Sequence, residues 1–211
     1  SVLSDVAART GLPESVIVST GGHDHVCGAL GVGVVEPGTV LNSLGTAEAQ
    51  FLPLKQPLNT PEVAAQGYSV GGHVAWDRYY AIGGLYSSGG SVDWLTGLFG
   101  DLNIQDLLAQ AVDVAPGSLG VCFLPHLRIA NPPFGDAPSR GAFVGLTGDV
   151  DQATLYRSVL EGIAYEARLC LDGLLAYAGL SEPDRIIAIG GSTRNTLLMR
   201  IKASIYGSPI T

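Results

Sequence analysis

The segment RIIAIGGSTRN, residues 185–195, sets the fold class of this chain. Its first part, Arg185 to Ile189, is an apolar run rich in β-branched residues and typical of a buried strand, and Gly190-Gly191 ends it. A helical pattern then extends from Asn195 to Tyr206. A strand followed by two glycines and a helix is typical of α/β proteins, and the glycines let a ligand approach the backbone closely.

Residues 190–195 admit two interpretations. The spacing of the glycines matches neither the dinucleotide-binding Gly-x-Gly-x-x-Gly pattern nor a Walker A loop, since Gly-Lys-Ser/Thr is absent. A ligand site at the helix start is one interpretation. A plain helix N-terminus, capped by Ser192 or Thr193, accounts for the same residues nearly as well.

The first half of the chain carries hairpin signals. Val40–Leu44 and Ala47–Leu52 flank Gly45-Thr46, and the β-rich run Tyr68–Ile82 is predicted to turn at Gly71-Gly72. Further predicted elements are strands at 16–18, 121–124 and 142–146 and helices at 27–35, 91–99, 104–112 and 151–177, the last capped by Asp149 or Asp151. Hairpins first and strand–helix alternation later predict an α/β domain with a mixed sheet flanked by helices.

Composition and charge narrow the class of protein. The 211 residues are 46% hydrophobic and 14% charged, which predicts a globular chain with one sizeable core. No run approaches the roughly 20 apolar residues of a membrane helix. The net charge of −8 argues against nucleic-acid binding, but it is compatible with a nucleotide, because backbone N–H groups and a metal ion can hold phosphates locally.

The N-terminus and the cysteines bear on the boundary of the fragment and on its redox compartment. The chain starts at Ser1 without a signal-peptide pattern, and we take this start as a fragment boundary. Cys27, Cys122 and Cys170 lie far apart and are odd in number. They therefore predict buried thiols in a reducing cytosol rather than disulfides or a zinc site.

A second constellation, Gly21-Gly22-His23-Asp24-His25, follows the predicted strand at 16–18. An Asp at the carboxyl end of a strand, beside glycines, is a common place for a general base or a metal ligand. In isolation an ordinary turn or helix cap is the favoured interpretation. A His-Asp-His metal site is not predicted, because consecutive side chains on a strand point in opposite directions.

A third constellation is Ser43-Leu44-Gly45-Thr46-Ala47. A tight turn between two strands exposes consecutive N–H groups, and a hydroxyl beside them can bond a terminal phosphate oxygen. A plain β-hairpin with glycine at the position of special backbone conformation explains these residues at least as well.

In this order the motifs resemble the FGGY carbohydrate kinases, which share the actin-like, ribonuclease H-like ATPase fold. The most specific match is Phe143-Val144-Gly145-Leu146, followed by Leu160-Glu161-Gly162-Ile163-Ala164, which is similar to the C-terminal signature of the family. The resemblance covers essentially the whole chain. It implies that residues 1–33 end the N-terminal, sugar-binding domain and that residues 34–211 form most of the C-terminal, nucleotide-binding domain.

The resemblance also implies a function, ATP-dependent phosphorylation of a sugar or polyol hydroxyl, and a set of site residues. Asp24 matches the base that takes the proton from the sugar hydroxyl, with His25 beside it at the substrate. The residues expected to contact ATP are Gly45, Thr46, Gly89, Asp93, Gly190, Gly191 and Asn195. ATP with Mg²⁺ and a small sugar or polyol are the implied ligands, with no protein metal site, nucleic acid or membrane, in a cytoplasmic protein that forms a homodimer.

Two positions depart from the family pattern. Thr154 stands where the signature usually has an amide, an acid or His, and Arg128–Pro132 stands where many members have Gly-Glu-Arg before a proline. The Asp-x-Gly-Thr phosphate loop and most sugar contacts of the family are not in these residues. We therefore expect the chain alone to be inactive. The sequence does not identify the sugar or polyol that is the substrate.

A rival interpretation is a non-catalytic nucleotide-binding or regulatory module on the same fold, because fold does not fix function. Asp24 discriminates between the two, since a pure binding module needs no acid facing the cleft. A chaperone-type ATPase, the third interpretation, requires a water-activating constellation, and the sequence contains none that we recognise.

Overall fold

A mixed five-stranded sheet lies at the centre of the molecule. The computed structural model describes residues 2–100 and 103–211. In spatial order the sheet contains β3 (Ser69–Gly72), β4 (Tyr79–Leu85), β2 (Glu48–Leu54), β1 (Thr39–Leu44) and β7 (Arg185–Ile189). A second, two-stranded sheet pairs β5 (Cys122–Leu124) with β6 (Ala142–Val144).

Helices cover both faces of the large sheet, α6 on one and α2 on the other. The helices of the described ranges are α1 (Ser4–Thr10), α2 (Asp24–Gly31), α3 (Pro61–Ala65), α4 (Gly89–Leu98), α5 (Ile104–Asp113), α6 (Gln152–Tyr177) and α7 (Thr196–Tyr206). Short 3₁₀ turns occupy Ser118–Gly120 and Gly191–Arg194. The structure confirms, to within one to three residues, the predicted hairpin after residue 39 and the helices α4 to α7. It also confirms the predicted strands at 121–124, 142–146 and 185–189 and the mixed α/β sheet.

The direction of two neighbouring strands positions the candidate site. Strand β7 runs parallel to β1, with Leu41 opposite Ile187 and Ser43 opposite Ile189. The β1–β2 and β2–β4 pairs are antiparallel. Because parallel strands end at the same edge of a sheet, the turn that follows β1 and the turn that follows β7 are neighbours.

Helix α6 supplies most of the core on one face of the sheet. Asp151 caps it by accepting a hydrogen bond from the Thr154 N–H at 2.8 Å, which settles the choice between Asp149 and Asp151. Val159, Ile163 and Cys170 lie on the buried stripe of the helix and are 0% exposed. This long amphipathic helix holds β2, β4, α5 and α7 together through apolar contact.

The other face of the sheet is covered by α2, which carries the Asp24 constellation. Val26 and Ala29 of α2 are buried against Leu41 and Phe51 of the sheet. A Cβ on Gly28 would lie 3.5 Å from the Ile189 Cδ1 atom, an ordinary contact distance, so the helix lies directly against the end of β7. The start of α2 is thereby held near the edge where β1 and β7 end.

Two predicted features are wrong. Residues 16–18 are not a strand: Ile17 is 90% exposed, and no strand of the described ranges pairs with this run, so neither apolar cover nor ladder hydrogen bonds stabilise an extended sheet here. The pair Gly71-Gly72 lies inside β3, and the chain turns over residues 73–78 instead. Gly71 makes room for a neighbour, because its Cβ would lie 2.8 Å from the Tyr80 hydroxyl.

The role of α6 predicts different effects of shortening two neighbouring leucines. Leu171 is 1% exposed and Leu169 is 37% exposed. We expect Leu171→Ala to lower the free energy of unfolding by about 2–5 kcal/mol, because it leaves a cavity beside the sheet. Leu169→Ala should cost less than about 1 kcal/mol. Urea unfolding of both variants checks this, and equal losses would contradict the burial of Leu171.

Candidate active site

Three backbone turns meet at the edge of the sheet where β1 and β7 end. They are the hairpin turn Gly45–Ala47, the start of α4 at Gly89, and the turn at Gly190. The Gly89 N–H donates to the Gly45 carbonyl at 3.1 Å, and the N–H groups of Ser88 and Gly90 both donate to the Thr46 carbonyl at 3.0 Å. The hairpin carbonyls thus take the place of a side-chain cap at the N-terminus of α4.

Glycine is required at two positions of this junction. A Cβ on Gly89 would lie 2.6 Å from the Gly45 carbonyl oxygen and 3.3 Å from the Ser192 hydroxyl oxygen. Gly190 has φ +105°, and a Cβ there would overlap the Leu44 carbonyl. Gly191 differs, because nothing lies within 4 Å of the place where its Cβ would stand. Its backbone therefore borders open space that a ligand can enter.

The structure brings most of the residues predicted to contact ATP together, with one difference in the hairpin. Thr46, Gly190 and Gly191 are exposed at the junction, and Gly45 and Gly89 are half-buried beneath them. The Gly45 N–H donates to the Ala47 carbonyl at 2.9 Å inside the turn. The expected row of consecutive N–H groups therefore begins after Gly45, where the exposed Thr46 carries the hydroxyl.

Asn195 has a structural role at the start of α7. Its Oδ1 accepts a hydrogen bond from the Leu198 N–H at 3.0 Å, and its Nδ2 donates to the Tyr156 hydroxyl at 2.9 Å. Burial raises the pKa of Tyr156, the bond from Asn195 opposes that shift, and the negative charge of Asp93 adds to it. Asp93 on α4 therefore lies within electrostatic reach of the same tyrosine, whose hydroxyl links α6 to the start of α7.

Asn195 is thus the cap of α7, and the prediction of Ser192 or Thr193 as its cap is wrong. Both residues lie inside the 3₁₀ turn that precedes the helix. The Thr193 hydroxyl donates to the Gly190 carbonyl at 2.7 Å. The 3₁₀ turn uses the Thr193 side chain locally, and the first α-helical residue is Thr196.

Asp24 is the first residue of α2, so its predicted place at the end of a strand is wrong. Its carboxylate is 85% exposed and lies 2.9 Å from the His23 Nδ1 atom. It accepts a hydrogen bond from the His25 N–H at 2.8 Å. That bond, together with the nearby imidazole of His25, lowers the pKa of Asp24 below its usual value. The carboxylate is therefore ionised at neutral pH, as a proton acceptor must be.

A cleft of about 210 Å³ connects the start of α2 with the hairpin. His25, residues 47–49, Tyr86 and Pro132 are among the residues that line it. His25, predicted to touch the substrate, and the hairpin that carries Thr46 thus share one cleft.

The Arg128–Pro132 loop has a clear structural role on the wall of this cleft. Asn131 is fully buried and accepts a hydrogen bond from the Tyr86 N–H at 2.8 Å. Its amide donates to Glu166 at 3.2 Å, and His126 lies 2.8 Å from the same carboxylate. These bonds fix the backbone that places Pro132 in the cleft.

A buried group of charged and polar side chains lies directly beneath the hairpin, and sequence reasoning missed it. We call it the Glu48 cluster, and it consists of Asn42, Glu48, Ser88 and Lys202. Glu48 Oε1 lies 2.6 Å from Lys202 Nζ and accepts a hydrogen bond from Asn42 at 2.8 Å, while Oε2 accepts one from the Ser88 hydroxyl at 3.0 Å. Burial lowers the pKa of Lys202, and Glu48 opposes that shift.

One signal in the sequence indicates this cluster. Leu198, Lys202 and Tyr206 follow each other at four-residue spacing and therefore share one face of α7. A lysine between two apolar residues on a buried face needs an acidic partner. The sequence does not say which acid that is.

A larger cavity lies elsewhere. It has a volume of about 680 Å³ and lies between residues 112–117 and the helices α6 and α7, with Arg157, Tyr165 and Arg200 among its lining residues. None of the predicted site residues lines it. The candidate site is instead an open junction of backbone turns, whose chemistry is carried by glycines and by Thr46.

Other features of the described ranges concern metals, membranes and thiols. Residues 2–100 and 103–211 place no three His, Cys, Asp or Glu side chains where they could hold a metal ion together. No helix in these ranges has the length and hydropathy needed to cross a membrane. Cys170 is buried as predicted, whereas Cys27 and Cys122 are exposed, so that part of the prediction is wrong.

Comparison with known proteins agrees with this geometry. The C-terminal domain of the FGGY family of carbohydrate kinases matches residues 40–211. The chain is 31% identical over 211 residues to a xylulose kinase of Staphylococcus epidermidis. The alignment covers all of this chain and 42% of that protein. Over 142 residues, 65% of the chain and 28% of the relative, it is 36% identical to a glycerol kinase of Gloeobacter violaceus.

The same family appears among solved structures. The crystal structure of a xyloylose kinase from Brucella ovis superposes with a TM-score of 0.87 at 30% identity, over 99% of this chain and 42% of that one. The chain therefore belongs to the FGGY family of carbohydrate kinases and has its actin-like ATPase fold. It spans about 42% of the length of the xylulose kinases that it matches.

The geometry of the junction predicts opposite effects of adding a methyl group to two adjacent glycines. Gly190→Ala should destabilise the fold by about 1–3 kcal/mol, since the new Cβ meets the Leu44 carbonyl and the positive φ is strained. Gly191→Ala has open space and should stay within about 0.5 kcal/mol of the parent. Urea unfolding compares them, and a tolerant Gly190→Ala would contradict the tight packing of this turn.

Proposed function

We propose that this chain is the nucleotide-binding part of an ATP-dependent kinase that phosphorylates a sugar or polyol hydroxyl. In this proposal residues 34–211 form the nucleotide-binding domain and residues 1–33 belong to the end of the sugar-binding domain. The observation that carries it is the meeting of the Thr46 hairpin, the Gly89 helix start and the Gly190-Gly191 turn at one edge of the sheet. Since the chain spans less than half of its kinase relatives, we expect it to lack sugar phosphorylation by itself.

Each turn of the junction contacts a different part of ATP in this proposal. The open backbone at Gly191 suits the flat adenine ring of ATP, because no protein atom lies where a side chain would stand. Asn195 borders this side and acts mainly through the position that it gives to the turn. Asp93, exposed on α4, is the further contact that we propose for the nucleotide. Thr46, exposed at the hairpin tip, offers a hydroxyl to the terminal phosphate.

Phosphoryl transfer requires mainly positioning and stabilisation of charge. Mg²⁺, which accompanies ATP, supplies positive charge to the phosphates when the nucleotide is bound. Gly45 and Gly89 bring the hairpin and the helix start close enough to form one wall. Asp24, ionised and exposed at the start of α2, accepts the proton of the attacking hydroxyl.

The substrate side is supported by His25 and its cleft. His25 lines the space between α2 and the hairpin, so a hydroxyl held there lies between the proposed base and the proposed phosphate site. The relatives are named xylulose kinase and glycerol kinase, and both of those names denote small polyhydroxylated substrates. We extend to this protein only their common chemistry, a small sugar or polyol.

The nucleotide assignment predicts that a side chain at residue 191 blocks ATP. Gly191→Val fills the open space beside the turn and should weaken Mg·ATP binding about tenfold or more, while the fold remains intact. Isothermal titration calorimetry on the 211-residue chain measures the dissociation constants.

Gly148→Val is the matched control. Gly148 is exposed, and nothing lies within 4 Å of its Cβ position. It is not among the predicted site residues, so binding by Gly148→Val should equal that of the parent. Equal binding by Gly191→Val and Gly148→Val would remove Gly191 from the site.

The catalytic assignment predicts a large loss of turnover from a small change at Asp24. Asp24→Asn keeps the acceptor for the His25 N–H but cannot take a proton from the substrate. In the full-length protein it should lower kcat about 10²- to 10⁴-fold and leave the affinity for ATP nearly unchanged. Steady-state kinetics with the best sugar or polyol of a panel, together with thermal melts, gives both quantities.

Asp106→Asn serves as the control because Asp106 is also an exposed carboxylate in the first turn of a helix, α5. A purely capping role makes Asp24→Asn behave like Asp106→Asn, with kcat within a few-fold of the parent. Such a result would favour the non-catalytic nucleotide-binding module over the kinase.

A further inference from the structure

The Glu48 cluster joins the hairpin, the start of α4 and the helix α7. Glu48 follows the hairpin turn by one residue, and Ser88 immediately precedes Gly89. Lys202 belongs to α7, the helix that begins after Asn195. The Glu48 carboxylate therefore bonds to Ser88, the residue before Gly89, and to Lys202 of the helix that follows Asn195.

Ser88 uses its hydroxyl in an unusual way for its position. A serine at the N-cap of a helix ordinarily accepts a hydrogen bond from an N–H of the first turn. The Ser88 side chain makes no such bond, and its hydroxyl donates to Glu48 at 3.0 Å instead. The start of α4 is capped by the carbonyls of Gly45 and Thr46, so the position of the helix start depends on the position of the hairpin.

The cluster is fully enclosed, which makes its geometry rigid. The side chains of Glu48 and Lys202 are both 0% exposed, and Asn42 and Ser88 are 0% exposed as residues. Removing charges from water is costly unless the ions are paired and hydrogen-bonded in good geometry. Apolar side chains would fill the same volume at less cost, so this pair calls for a reason beyond filling the core.

We propose that Glu48, held by Lys202 and bonded to Ser88, is a positioning residue that fixes the Thr46 hairpin and the Gly89 helix start relative to each other for the phosphates of ATP. The inference rests on the proposed kinase function, because it gives these residues a role in that same site. Glu48 touches no substrate in this account and acts through the backbone on either side of it.

The proposal makes a specific demand on kinetics in the full-length protein. Ser88→Ala removes only the link between the cluster and α4. It should raise KM for ATP about 3- to 10-fold, the effect expected of one lost hydrogen bond, while KM for the sugar changes less than about twofold. Glu48→Gln keeps the size of the side chain but leaves Lys202 without its partner, and it should raise KM for ATP or lower kcat about tenfold or more.

The chain offers a matched control in a second buried carboxylate. Glu161 accepts a hydrogen bond from the Ser118 hydroxyl at 2.8 Å and pairs with Arg157 at 2.8 Å. Ser118 is 0% exposed, like Ser88, but it lies outside the proposed site. Ser118→Ala therefore loses an equivalent buried hydrogen bond, and it should leave both KM values within about twofold of the parent.

The outcomes separate this inference from the function on which it rests. If Ser88→Ala and Ser118→Ala lower the melting temperature alike and neither changes KM for ATP, the positioning role is overturned and the cluster is only structural. If Glu48→Gln does not fold, Ser88→Ala decides alone. If the parent binds Mg·ATP but phosphorylates no sugar, the kinase proposal fails. The dissociation constant of Mg·ATP then replaces KM as the readout, and Ser88→Ala must still raise it relative to Ser118→Ala.

Discussion

The buried ion pair of Glu48 and Lys202 fixes the edge of the sheet where the candidate site lies. Glu48 and Lys202 lie 2.6 Å apart with no exposed side-chain surface. Neither charge is tolerable there without the other, because an unpaired buried ion loses its hydration without compensation. The strand β2 and the helix α7 are therefore held in one relative position, and the hairpin turn that precedes Glu48 is held with them.

The rest of the site follows from this constraint and from parallel pairing. Strand β7 runs beside β1, so the Gly190 turn arrives next to the hairpin. The hairpin carbonyls cap α4 and bring Gly89 to the same place. Helix α6 provides the apolar support behind all three, and its Tyr156 bonds to Asn195. A family of kinases that needs positioning more than reactive side chains is well served by such a junction of backbone turns.

The sequence predicts those parts of this arrangement that have local signals. An apolar run followed by Gly190-Gly191 indicates a strand end, and Gly45-Thr46 between two apolar runs indicates a hairpin. Val16–Val18 has the same composition but forms no strand, because composition cannot supply a partner strand. The Glu48–Lys202 pair could not be predicted either, since the two residues are 154 positions apart and only the fold brings them together. The binding of ATP by these residues stays a prediction.

Amide chemical shifts on titration with Mg·ATP show directly whether one nucleotide contacts the three turns of the junction. In the isotopically labelled 211-residue chain, the N–H signals of Thr46, Gly89 and Gly191 should shift first and together, because one nucleotide contacts all three turns. Shifts confined to the residues around the 680 Å³ cavity, such as Ala115, Gly117 and Arg200, would contradict the account and place the nucleotide between α6 and α7 instead.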